Sequence, residues 1–257
     1  MSDKVSLRGK RILVTGGTTG IGRATVKLLV GEGARVLTFG RHQAELDDAL
    51  VAAKEWVSAK EWSVTQGLAG EVFGMTADVA TREGVEQVFA QVDEKLGGID
   101  ILVNNAGVAL QPVQDMSEDD WRYGVETDFV GYLACARQAL LRMKKQAHGH
   151  IVFIGSVSAE QKSPGKSTYA ATKAGIQTYA ETLRKEVAEQ NIKVTLIEPG
   201  LVGADLQGMP VEEQRRKIAA EEMLYAEDLA ETIVFALTRA NRTDIVSLRV
   251  EPRLQGA

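Results

Sequence analysis

Cysteine, histidine, proline and aromatic residues are all scarce in this chain. Of 257 residues one is cysteine, three are histidine and five are proline, and aromatics make up 5%. The single thiol, Cys135, excludes a disulfide within the sequence and fits a reducing compartment. It falls among apolar positions of helical spacing, so a buried structural role is expected. His42, His148 and His150 lack ligand spacing and cysteine partners, which argues against a metal site. Lysine and arginine number 30 against 35 acids, a net charge of −5, and no basic stripe recurs. Neither nucleic acid nor an anionic membrane surface is therefore an expected partner. No apolar run approaches the roughly 20 residues of a membrane span. The start, Met1-Ser2-Asp3-Lys4, lacks the apolar stretch of a secretory signal. The chain is expected to be soluble and cytoplasmic.

What is present is alternation. Strand-like apolar runs fall at 11–15, 35–39, 71–76, 100–104, 150–155, 192–197 and 245–250. Helical spacing occupies the intervals near 21–32, 42–60, 81–96, 117–146, 167–190, 212–222 and 226–239. Contiguous Val, Ile and Leu in the strands suits a parallel sheet covered on both faces. The order predicts a doubly wound α/β sheet with right-handed crossovers. The length suits one domain, and no repeat or linker divides it.

Two local patterns carry chemistry. Arg11-Ile12-Leu13-Val14-Thr15 reads as a strand and runs at once into Gly16-Gly17-Thr18-Thr19-Gly20-Ile21-Gly22, then a helix. In that context glycines allow a tight turn and close approach of a pyrophosphate to a helix N-terminus. Downstream, Tyr169 and Lys173 lie four apart on a helix, hence on one face about 6 Å apart along the axis. An ammonium there stabilises a tyrosinate. Free tyrosine has a pKa near 10, so acid–base work near neutrality needs roughly 4 kcal/mol of help, much of which a neighbouring cation supplies. Such a pair alone is weak evidence, because both residues are common on helices.

Together the motifs resemble the short-chain dehydrogenase/reductase family. The likeness rests on Thr15-Gly16-x-x-x-Gly20-Ile21-Gly22, Asn104-Asn105-Ala106-Gly107, Ser156 thirteen positions before Tyr169, Lys173, and Pro199-Gly200. It implies a Rossmann-type single domain that uses NAD or NADP to interconvert alcohols and carbonyls. By the same resemblance Ser156, Tyr169 and Lys173 are catalytic, and the turn of Gly16, Thr18, Thr19, Gly20, Ile21 and Gly22 holds the cofactor. Asp78-Val79 would grip the adenine amine, although Asp78 as a helix cap is an equally simple reading. Asn105, Ala106 and Gly107 would line the ribose, and Pro199, Gly200 and Val202 would wall the nicotinamide.

The cofactor itself can be read from residues 35–44. No Asp or Glu stands there to bind a ribose 2′-hydroxyl, whereas Gly40-Arg41-His42 offers a guanidinium suited to a 2′-phosphate. NADP with Arg41 as its ligand is the expectation, and NAD with Arg41 as a solvated helix-start residue is the alternative. Two positions depart from the family pattern. Asp128 stands where an Asn usually completes a catalytic tetrad, and Ala204 where a Thr often bonds the nicotinamide carboxamide. Residues 201–224 occupy the place of a mobile substrate lid. Segment 55–70, with Trp56 and Trp62, is about ten residues longer than the family usually has, and those rings could pack on the body or on a partner subunit. The leading expectation is a carbonyl reductase or alcohol dehydrogenase for a small to medium substrate. A β-ketoacyl thioester reductase is the runner-up. A dinucleotide-binding relative with decayed chemistry is the third reading, against which the intact Ser156, Tyr169 and Lys173 argue. The family resemblance also implies a homodimer or homotetramer built partly from helices 117–146 and 167–190.

Overall fold

The structure is a computed structural model that describes residues 4–59, 70–204 and 208–254. Seven parallel strands form one sheet in the order β3-β2-β1-β4-β5-β6-β7. They are β1 Arg11–Thr15, β2 Arg35–Gly40, β3 Glu71–Thr76, β4 Ile101–Asn104, β5 Gly149–Ile154, β6 Ile192–Pro199 and β7 Ser247–Val250. The helices are α1 Gly20–Gly31, α2 Gln43–Ala59, α3 Arg82–Gln91, α4 Glu118–Val125, α5 Gly131–Gln146, α6 Ser158–Gln161, α7 Ser167–Val187, α8 Val211–Ala219 and α9 Ala226–Leu237.

Why the strands are central follows from their side chains. β1 and β4 are buried along almost their whole length, with Val14 beside Val103 and Leu13 beside Leu102. Successive residues point to opposite faces. Leu13, Leu102, Ile151 and Phe153 therefore pack with α3, α5 and α7, while Ile12, Val14, Val103 and Val152 pack with α1 and α9. Each such side chain contributes about 1.5–3 kcal/mol on burial. Cys135 is fully buried in the first layer, and burial pushes its thiol up to about 12.

Strand order reverses direction at β1, where the chain winds first toward β2 and β3 and later toward β4. The crevice beyond the carboxyl ends of β1 and β4 is where this sheet type binds ligands. The long helix expected over 117–146 is real but not uniform. A π turn, Glu126–Val130, joins α4 to α5 and contains Asp128. A second π turn, Val92–Leu96, closes α3 and ends at Gly97 in the left-handed region (φ 71°).

Trp56 packs on the body: Lys27 Nζ of α1 sits 4.3 Å from its ring centre. Trp62 and the rest of 60–69 lie outside the described residues. So do 205–207 within the expected lid, whose described part holds α8. Among the described residues no helix is long and apolar enough to cross a membrane, and no three His, Cys, Asp or Glu gather to hold a metal ion.

Candidate active site

The turn after β1 is shaped by two glycines. Gly16 has φ +66°, and a Cβ on it would lie 2.8 Å from the Ala106 Cα. A Cβ on Gly22 would strike the Gly16 carbonyl oxygen and the Asn105 carboxamide. Those neighbours are the braces of the turn. Asn105 Nδ2 donates to Thr15 O and Gly16 O, both at 3.0 Å, while Thr15 Oγ1 accepts from the N–H groups of Asn105 (2.8 Å) and Ala106 (2.9 Å). The Asn-Asn-Ala-Gly run thus locks the end of β4 to the end of β1. Thr19 occupies the N-cap of α1 in extended geometry, but its side chain caps nothing. The first N–H groups of α1 are left without a side-chain acceptor, a donor set suited to phosphate oxygens.

Above this turn lies a cleft of about 490 Å³. Gly16, Thr18, Thr19, Gly20, Ile21, Arg41, Asp78, Val79, Asn105, Ala106 and Gly107 all line it. Gly22 lies beneath the turn rather than in the wall. Thr127 and Ala204 also line the cleft, and the Ala204 methyl lies 3.0 Å from where a Gly20 Cβ would stand. Arg41 and Asp78 are both tied to Tyr123, a residue sequence reasoning missed. Uncapped amides, a guanidinium and a carboxylate in one cleft fit a dinucleotide carrying an extra phosphate on its adenosine.

The second half of the site sits at the ends of β5 and β6. Gly155 N–H donates to Ile197 O at 2.7 Å and Val157 N–H to Pro199 O at 3.1 Å, so Pro199 fixes the segment carrying Ser156. Ser156 Oγ accepts from Ser158 N–H at 3.1 Å. Gly200 N–H bonds Val250 O at 2.8 Å, and buried Val202 bridges to Leu224. Pro199, Gly200 and Val202 therefore anchor this side of the site, outside the cleft lining itself.

On α7, Lys173 is only 4% exposed although it carries a charge. Its Nζ donates to Ile154 O at 3.2 Å and lies 5.6 Å from the Tyr169 ring centre. It also lies 5.0 Å from the ring of Tyr132, whose hydroxyl donates to the same Ile154 carbonyl at 3.2 Å. Burial opposes the ammonium, but Tyr132, Tyr169 and Asp128 outweigh it and raise the Lys173 pKa. Tyr132 is fully buried, and its phenol is pushed up to about 12. Asp128 is fully buried as well. Its Oδ1 accepts from Val108 N–H at 2.8 Å, while Oδ2 has no partner among the described residues. Burial pushes its carboxyl above the ordinary range by more than Lys173 draws it down. Tyr132 lies just past the π turn that holds Asp128, where no regular helical spacing could have flagged it.

The family model for short chain dehydrogenases matches residues 10–215. The chain belongs to the short-chain dehydrogenase/reductase family. An uncharacterized oxidoreductase of Staphylococcus aureus is 30% identical over 247 residues, covering 96% of this chain and 98% of that protein. A 3-oxoacyl-[acyl-carrier-protein] reductase of Chlamydia pneumoniae is 36% identical over 203 residues, 79% of this chain and 77% of that protein. Among solved structures, L-sorbose reductase from Gluconobacter frateurii, complexed with NADPH and L-sorbose, superposes with a TM-score of 0.83 at 26% identity, covering 100% of both chains.

Proposed function

We propose that this oxidoreductase uses NADP to interconvert a carbonyl and an alcohol on a small to medium substrate. The observation that carries the reading is the buried Lys173 ammonium held against the Tyr169 ring, together with a cleft that Arg41 helps to line. The turn Gly16–Gly22 and α1 would hold the pyrophosphate, Arg41 the 2′-phosphate and Asp78 the adenine amine. When bound, the nicotinamide supplies or accepts the hydride at the carbonyl carbon. Ser156 and Tyr169 hold the carbonyl oxygen by hydrogen bonds. Tyr169 gives its proton to the developing alkoxide, and the fixed charge of Lys173 stabilises the phenolate left behind. Pro199, Gly200 and Val202 hold the wall on the nicotinamide side, and residues 201–224 act as the substrate lid. The NADPH complex of the L-sorbose reductase supports both the cofactor and a polar substrate of modest size.

A β-ketoacyl thioester reductase is the second reading, favoured by the Chlamydia relative. We place the enzyme in the cytoplasm as a homodimer or homotetramer, in keeping with its one buried cysteine and the family resemblance. NADPH oxidation against a panel of ketones, aldehydes and β-keto thioesters tests the assignment. Turnover of simple ketones or aldehydes is expected, and turnover of thioesters alone selects the second reading. Tyr169→Phe should cut kcat by more than about a hundredfold with cofactor binding retained; a kcat within tenfold of the parent removes Tyr169 from the mechanism.

A further inference from the structure

One side chain that no motif marks links Arg41 to Asp78, two residues of the cleft wall. Tyr123, half-buried on α4, accepts a hydrogen bond from Arg41 Nη1 at 2.9 Å and donates one to Asp78 Oδ2 at 2.9 Å. The Arg41 guanidinium carbon lies 5.5 Å from its ring centre. Arg41 is exposed and makes no ion pair among the described residues, so this phenol is what holds it. A guanidinium has five N–H donors, and only one is given to Tyr123. The rest of the fork is open to an anion. Asp78 is similarly part-used: Oδ1 accepts from Ala80 N–H at 2.9 Å, and a carboxylate has about four acceptor positions.

We propose that Tyr123 is a specificity-determining residue, a strut that presets Arg41 for a 2′-phosphate while its O–H donates to Asp78. The proposal builds on the NADP reading of Arg41. Two physical effects favour it. An unrestrained arginine loses much rotamer freedom on capturing an anion, and a strut removes that loss beforehand. The phenol O–H also donates to the carboxylate, which lowers the repulsion a phosphate would feel from Asp78. A cofactor with a plain 2′-hydroxyl gains from neither.

The test is fluorescence titration of NADPH and NADH against the parent, Tyr123→Phe, Arg41→Ala and the double variant. Tyr123→Phe keeps the ring and deletes both hydrogen bonds. Its NADPH dissociation constant should rise about five- to tenfold while that of NADH moves less than twofold. In the Arg41→Ala background it should add nothing. Retained NADH binding and an unchanged circular dichroism melt report that the variant is folded. Equal weakening of both cofactors, tighter NADPH, or no change each overturns the strut. A parent that binds neither cofactor, or prefers NADH, overturns the reading of Arg41 beneath it.

Discussion

Two buried carboxylates, one at each end of the sheet, have opposite surroundings. Asp100, 8% exposed at the amino-terminal end, is surrounded by donors. Arg11 reaches Oδ2 from its backbone N–H (2.9 Å) and Nε (3.0 Å) and Oδ1 from Nη2 (2.6 Å), and His148 Nε2 adds a contact to Oδ1 at 3.0 Å. Burial pushes its carboxyl up, but these bonds prevail and bring it down to about 2. Asp128, at the carboxyl end, has one donor, a bare second oxygen and a carboxyl held high. The first arrangement stabilises the ionised form and ties β1, β4 and the turn before β5 together. The second leaves a polar group under-satisfied beside Lys173, an arrangement that clusters at functional sites. One end of the sheet is built for stability; the other is the end to which the proposed mechanism assigns the reaction.

That contrast can be broken at the stable end first. Asp100→Ala should lower stability by about 3 kcal/mol in urea unfolding, because it strands Arg11 and His148, with turnover in the folded protein within twofold of the parent. A large loss of turnover at unchanged stability would reverse the assignment. The pH response comes next. The folded pKa of Asp100 lies below its ordinary 3.8, so its contribution, about 2 kcal/mol, is complete above that value and lost as pH falls through about 2. Asp128 has the opposite sign. Its raised folded pKa makes the protonated state the more stable one, with that advantage lost as pH rises through the folded value. Acid unfolding of Asp100→Asn should therefore show a flatter slope at low pH, and Asp128→Asn should steepen it slightly.

At the reactive end, Asp128→Asn should raise kcat about threefold and remove an inflection on the acid side of its pH profile, with stability unchanged or higher by about 1 kcal/mol. An unaltered rate and profile would take Asp128 out of the proton chemistry. The smallest effect belongs to an exposed carboxylate. Glu212 pairs with Arg215 on α8 at 2.6 Å with side chains 80% and 69% exposed, so Glu212→Gln should change stability by less than about 0.5 kcal/mol.

Much of the fold was legible because burial writes itself into contiguous apolar runs. β1 and β3 begin and end where Arg11–Thr15 and Glu71–Thr76 predict. β7 starts at Ser247 rather than at 245, since the Ile245 carbonyl is taken by the Thr195 hydroxyl at 2.7 Å. α8 stops at Ala219 instead of running to 222, the chain turning through left-handed Glu221 (φ 59°). The glycine turn and the shared face of Tyr169 and Lys173 were equally plain, because a tight turn and a helical face each follow from residue type and spacing. Tyr123 and Tyr132 were not. Each acts through a hydroxyl whose partners lie far away in sequence, Arg41 and Asp78 for one and Ile154 for the other. The π turn was invisible too, since a shifted hydrogen-bond pattern leaves no mark in composition.

That π turn sets the angular relation between two tyrosines on one rod. An α-helix advances 100° per residue, and a π turn accommodates an extra residue within its coil. Tyr123 precedes Glu126–Val130 and reaches Arg41 and Asp78, while Tyr132 follows it and reaches Lys173. Wound as regular α-helix, the same residues would turn one phenol roughly 100° relative to the other. A one-residue deletion that removes only the extra residue would keep both phenols in phase, where tightening the turn at constant length would swing them apart.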